Sequence, residues 1–287
     1  MAVQTLMGVD GCKAGWVIAA SDLQLSTICF GIAERIDRLI GAAAQAQDTL
    51  ILIDIPIGLP ADGPRACDVA ARRLLGRARA GSVFPVPCRA ALTADTHAAA
   101  SQLNRTVCGR GVPAQAFCLF SKLREVDAAM SRDRQQWIRE THPEVTFALL
   151  SGCGRGLPWS KKDPRGLAAR LALLSRFLPA MELQEGVPPR CRSPIRYGAL
   201  GSAAPSSQEG MPLRCCEPIA GKGRLSPEID VRAIRQGLGV QRVLPDDIVD
   251  ALAALVSAHR VWADEATVLP AGRPAEDERG LRMEIVA

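Results

Sequence analysis

Asp247 and Asp250 stand three residues apart in the run DDIVDALAALVSAHRVW, so on a helix they share one face, a single turn apart. Ala251, Ala253 and Ala254 surround them, and such small side chains would let that face approach a sheet closely. A pair of aspartates pressed against a core is costly unless positive charge neutralises it, and carboxylate oxygens suit a hard cation, Mg²⁺ or Mn²⁺. The helix taken by itself has a plainer account, in which Asp246 and Asp247 favour its start and Asp250 faces solvent. Two more aspartates weigh against that account. Asp10 ends the apolar run QTLMGV, and Asp54 lies inside TLILIDI, where a carboxylate does not serve solubility. If Asp10, Asp54, Asp247 and Asp250 meet at one edge of a sheet, they can hold two divalent ions. Such a pair activates water and stabilises the leaving oxygen in phosphodiester hydrolysis.

Other side chains could support that chemistry. Glu140, His142 and Glu144 in ETHPE alternate, so on an extended segment they point to one side together. Glu144 is then a candidate ligand or general base, with Glu140 and His142 behind it; alternatively the three brace the bend at Pro143. Lys162, with Lys161 beside it, could hold a phosphate or the leaving group, or the two form a solvated pair. Lys13 and the arginine-rich stretch containing Arg72, Arg79 and Arg89 could contact a nucleic-acid backbone, or serve as a solvated helix face.

The elements that must position these residues are legible in the first third. Residues 4–9, 16–20 and 23–30 read as a meander of three strands, and 33–46 as a helix with Ile36, Leu39, Ile40 and Ala43 on one face. Residues 49–55 form an apolar run without polar alternation, the pattern of a strand covered on both faces. This β-β-β-α-β order indicates an α/β protein. Beyond it, helices are predicted over 64–80, 114–131 (Phe117, Phe120, Leu123 and Val126 on one face), 164–178 and 246–262. Residues 136–150 read as a strand bent at Pro143, and order returns at 228–236. Two prolines exclude 82–89 from a central strand. Residues 179–227, rich in Pro, Gly, Ser and Arg, read as a flexible insertion in a single domain spanning 1–268, followed by a loose tail over 269–287.

Bulk composition narrows the class. The 287 residues, 48% hydrophobic and 23% charged, suit one globular domain. A net charge of +5 permits an anionic partner without demanding one, and 4% aromatic content argues against a stacking platform for single strands. Ten cysteines include no C-x-x-C pair, so a zinc knuckle is excluded and free thiols are expected. No apolar run reaches the roughly 18 residues of a membrane span, and the N-terminus has no basic and apolar leader. A soluble, cytoplasmic protein is the expectation; oligomeric state has no signature.

Six separated motifs carry a resemblance. GVDGCKAGW at 8–16, IDIPIGLP at 53–60, CDVAARRLLGRARAGSVFPVPCR at 67–89, ETHPEVTFALLSG at 140–152, SKKDPRG at 160–166 and DDIVDAL at 246–252 resemble, in order, the RNase H-like nuclease family of domain of unknown function 429. The resemblance implies an RNase H-like mixed five-stranded sheet flanked by helices, with insertions. It also implies metal-binding acidic residues on the first strand (Asp10), the fourth strand (Asp54) and the last helix (Asp247 and Asp250, in the D-x-x-D spacing of the RuvC-type resolvases). Two departures stand out: Ala14-Gly15-Trp16 replaces Gly-Gly-Trp, and Pro113 replaces a serine. A divalent-metal-dependent nuclease is therefore the leading expectation. The alternatives are a phosphotransferase of the actin and sugar-kinase type, with GVDGCKAG as a phosphate-cradling turn, and a non-catalytic nucleic-acid-binding module. No later D-x-G-G segment supports the phosphotransferase.

Overall fold

The computed structural model describes residues 3–46, 48–178 and 229–287; the expected insertion at 179–227 lies outside the described residues. The chain opens with β1 (Thr5–Cys12), β2 (Gly15–Ser21), β3 (Ile28–Ala33), α1 (Ile36–Ala46) and β4 (Thr49–Ile53). Next come α2 (Ala66–Arg79), α3 (His97–Cys108), α4 (Ala114–Phe117), α5 (Phe120–Ala129), β5 (Ile138–Glu140) and α6 (Pro143–Leu150). It closes with α7 (Pro164–Leu174), α8 (Val231–Leu238), α9 (Pro245–Trp262), β6 (Val268–Leu269) and β7 (Ile285–Val286).

The first five strands form one mixed sheet in the order β3-β2-β1-β4-β5. β1–β2 and β2–β3 are antiparallel hairpins, whereas β1–β4 and β4–β5 are parallel. Helices cover both faces, as the RNase H-like expectation requires. Strand alternation sorts the core: Leu6, Leu50 and Leu52 face α9, and Val9, Ile51 and Ile53 face α1 and α5. Asp10 and Asp54 share the parity of Leu6 and Leu52, so both fall on the α9 face.

The packing of α9 on β1 is unusually close. A Cβ on Gly8 would sit 2.1 Å from the Ala251 carbonyl oxygen and from the Leu255 nitrogen. Glycine on the strand and alanines on the helix are therefore one requirement seen from two sides.

Several sequence expectations are corrected. The third strand begins at Ile28 rather than 23, because Asp22 to Ser26 forms a turn: the Ser26 amide donates to Asp22 Oδ1 at 2.9 Å, and Leu25 has φ 54°. The helix over 114–131 is two, α4 and α5, although Phe120, Leu123 and Val126 are buried as predicted. Residues 136–150 are not a bent strand. β5 ends at Glu140, and Pro143 opens α6, where its missing N–H costs nothing. The tail over 269–287 is not loose: Leu281, Ile285 and Val286 are buried, and β7 pairs with β6. Asp277 Oδ2 also accepts the Leu59 amide at 3.1 Å, tying the tail to the loop after β4.

Candidate metal centre

Asp10 is placed by the end of β1, with its Oδ1 accepting the Gly11 amide at 2.7 Å. Asp54 follows β4 directly, and its own amide donates to the Val9 carbonyl at 2.9 Å, so the parallel β1–β4 register brings the two aspartates side by side. Asp250 comes from α9, one helical step before the Ala251 that lies against Gly8. Asp10, Asp54 and Asp250 each offer a carboxylate oxygen, and the three atoms lie within 4.8 Å of one another. Asp10 and Asp250 are buried, so the solvent-facing account of Asp250 does not hold.

The electrostatics follow from that burial. Loss of solvation raises the Asp10 carboxyl well above the ordinary range, and repulsion from Asp54 and Asp250 adds to it. Burial likewise raises Asp54. Asp250 is pushed up to about 7 by burial, against the opposing pull of the Lys161 ammonium. Lys161 Nζ lies 2.5 Å from Asp250 Oδ2 and 3.4 Å from Asp246 Oδ2. Burial alone would lower the Lys161 ammonium, but Asp250 and Asp10 outweigh it and raise it.

Glu144 completes the acidic face from the first turn of α6. Its Oε1 pairs with Arg170 Nη2 of α7 at 2.5 Å, and that guanidinium is entirely buried. Glu144 Oε2 is buried with no hydrogen-bond partner among the described residues. Its charge reaches Asp54 and Asp250, contributing to the upward shift of both. An orphaned buried carboxylate oxygen and three crowded aspartates are groups that a cation could satisfy. Four carboxylates face two cations, Lys161 and Arg170, and the oxygen-only donor set suits Mg²⁺ or Mn²⁺. The residues present therefore fit the metal that the sequence implied.

The profile of the family described as protein of unknown function (DUF429) matches residues 8–275. The chain belongs to this family. Neither a curated protein nor a solved structure matches it. In this DUF429 chain the match begins two residues before Asp10 and takes in every residue of the acidic face.

The remaining sequence candidates divide. Asp247 stands outside the close trio: its Oδ2 accepts the Leu244 amide at 2.8 Å, so it caps α9, although burial raises it too. Lys161 and Lys162 exchange their expected places, with Lys161 against the aspartates and Lys162 exposed. His142 caps α6, its Nδ1 accepting the Glu144 amide at 3.2 Å and its Nε2 lying 3.4 Å from the Ser82 carbonyl oxygen. Glu140 is not beside Glu144. The Ile53↔Glu140 register puts it on the opposite face from Asp54, where Arg65 Nη2 meets its Oε1 at 2.7 Å and Asp68 Oδ1 at 2.6 Å.

Three arginines expected to meet nucleic acid are engaged internally. Arg72 donates to the Val83 carbonyl, Arg79 to those of Leu157 and Pro158, and Arg89 pairs with Asp127, Asp277 and Glu278. Their role in this state is to brace loops. Lys13, in the turn between β1 and β2, is exposed. Among the described residues Cys12, Cys67, Cys88, Cys108, Cys118 and Cys153 are free thiols, as expected. Among the described residues no helix is long and apolar enough to cross a membrane.

Proposed function

We propose that this DUF429 protein is a divalent-metal-dependent phosphodiesterase of the RNase H-like type, acting on nucleic acid. One observation carries the reading: Asp10, Asp54 and Asp250 converge to within 4.8 Å from three separate elements, on the face where Glu144 leaves a buried oxygen unpartnered. Asp10, Asp54 and Asp250 would hold the cation, with the Glu144 charge close enough to act on Asp54 and Asp250. When bound, Mg²⁺ or Mn²⁺ supplies charge to offset that building on a phosphate and makes water acidic enough to attack near neutral pH.

The chain's own groups do the rest. Arg170 holds the Glu144 carboxylate through Oε1 and leaves its Oε2 unpartnered. Gly8 holds α9 against β1 and thereby sets the Asp10–Asp250 spacing. Lys161 keeps positive charge on the acidic face, where it can meet a phosphate oxygen. With Arg72, Arg79 and Arg89 engaged elsewhere, exposed Lys13 and the exposed Arg73 and Arg77 of the arginine-rich stretch are available to the polymer backbone, and exposed Lys162 to a phosphate.

The test is Mn²⁺-dependent cleavage of a labelled panel: single- and double-stranded DNA, RNA, hybrid and branched forms, with Asp54→Asn alongside. Cleavage by the wild type and not by the variant supports the reading and names the substrate. A folded, Mn²⁺-binding wild type that cleaves no member of the panel overturns it.

A further inference from the structure

We propose that the Lys161 ammonium is a resident cation of the acidic site, standing where a second metal ion would otherwise bind, so that the folded chain takes up one divalent ion. The inference rests on the metal-dependent reading above but departs from the two-ion expectation drawn from the sequence.

Lys161 is delivered to this position from both ends of its segment. On one side, Arg170 Nη1 donates to the Trp159 carbonyl at 3.2 Å, and the same guanidinium holds Glu144. On the other, Gly166 in the first turn of α7 lies so close that a Cβ there would meet the Ser160 carbonyl oxygen at 1.9 Å. The Asp163 amide donates to that carbonyl at 3.0 Å, and Asp163 caps α7. The backbone on either side of Lys161 is thus pinned to the helix that carries Arg170. Lys162 lies in the same turn, with its amide donating to Ser160 Oγ at 3.3 Å, but its side chain is exposed.

The donor atoms agree. Asp250 Oδ2 is taken by Lys161 Nζ at 2.5 Å, and Asp247 Oδ2 is taken by the Leu244 amide at 2.8 Å. Both helix aspartates therefore have one oxygen committed within the protein. One oxygen each from Asp10, Asp54 and Asp250 makes the group within 4.8 Å, and the orphaned Glu144 Oε2 lies outside that group. Three oxygens, completed by water, meet the needs of one octahedral Mg²⁺ or Mn²⁺. A second ion bridging Asp250 would have to displace an ammonium already within hydrogen-bond reach of it.

The experiment is a Mn²⁺ titration of the full chain, read by calorimetry for stoichiometry and by electron paramagnetic resonance for ion–ion coupling. Wild type is expected to bind one ion with an uncoupled signal. Lys161→Met, which keeps length and removes charge, should bind two, with a coupled signal from ions about 3.5–4 Å apart. Lys161→Arg, which keeps charge, should remain at one. Two ions on the wild-type chain overturn the proposal whether or not a variant folds; so does a folded Lys161→Met that still binds one. One ion without cleavage of nucleic acid overturns the nuclease reading alone, and no binding at all overturns both.

Discussion

Gly8→Ala is the smallest change that reaches the site without touching an acidic residue. The added methyl carbon would lie 2.1 Å from the backbone of α9 at Ala251 and Leu255, where ordinary contact begins at 3.4 Å. Neither atom can rotate away, so the helix must retreat by about 1.3 Å or the strand must shift by as much. Overpacking of this kind costs about 2–3 kcal/mol, which for a domain of this size lowers the melting temperature by about 5–10 °C. The same retreat carries Asp250 away from Asp10 and Asp54, whose oxygens lie within 4.8 Å, so Mn²⁺ binding should weaken more than tenfold. Differential scanning calorimetry and a Mn²⁺ titration on the same sample read both effects. A variant that melts with the wild type and binds Mn²⁺ equally well would refute the idea that this contact sets the site.

Three further outcomes are expected. Asp10, Asp54 and Asp250 titrate above the ordinary carboxylate value of 3.8, Asp250 at about 7, so the metal-free fold retains protons that the unfolded chain has released. The Asp250 contribution to stability is full below 3.8 and is lost as pH rises through about 7, those of Asp10 and Asp54 also decline as pH rises above 3.8, and Mn²⁺ should restore stability at pH 8. Melting curves from pH 5 to 8 with and without Mn²⁺ check this; equal Mn²⁺ stabilisation at both ends would count against it. Arg170→Met strands the buried Glu144 carboxylate and should cost about 3–5 kcal/mol in urea unfolding, with much of the loss recovered in Glu144→Leu/Arg170→Met. Additive losses in the double variant would show that the pair is not coupled. Leu281→Ala should cost about 3 kcal/mol, because the C-terminal segment is core; a change under 0.5 kcal/mol would mean it is only draped over the surface.

The parts of the site that the sequence disclosed are those where a local pattern and a tertiary need coincide. Asp54 inside TLILIDI and Asp10 after QTLMGV are conspicuous because charge interrupts apolar strands, and alternation then dictates their common face. The alanines around Asp250 announce a close approach, but the matching Gly8 is silent until α9 is laid across it. Arg170 gives no signal at all: within PRGLAARLALL it reads as the polar side of an amphipathic helix, and only the partner Glu144, 26 residues away, makes its burial tolerable. The confusion of Lys161 with Lys162 has the same origin, since adjacent lysines differ only in which side of a turn they occupy. His142-Pro143 could have been read as a helix start, and Thr96 with Gly109 as the ends of α3, because those are capping signals. The apolar periodicity that normally accompanies such caps is thin in α3, where only Ala100 and Asn104 are buried. The two-residue strands β6 and β7 are too short for any period to be seen.

The close seat of α9 on β1 also has a consequence for biosynthesis. Asp10 leaves the ribosome before its neighbour Asp250, which follows only after another 240 residues have been joined. At translation rates of about 5–20 residues per second, roughly 12–50 s separate the two. Once Asp54 has also been joined, β1 and β4 carry the two aspartates with no helix over Gly8, so the nascent chain holds half an acidic site and no means of closing it. Whatever chemistry the finished face performs is withheld from the messenger and ribosome that produce it until the last helix has docked.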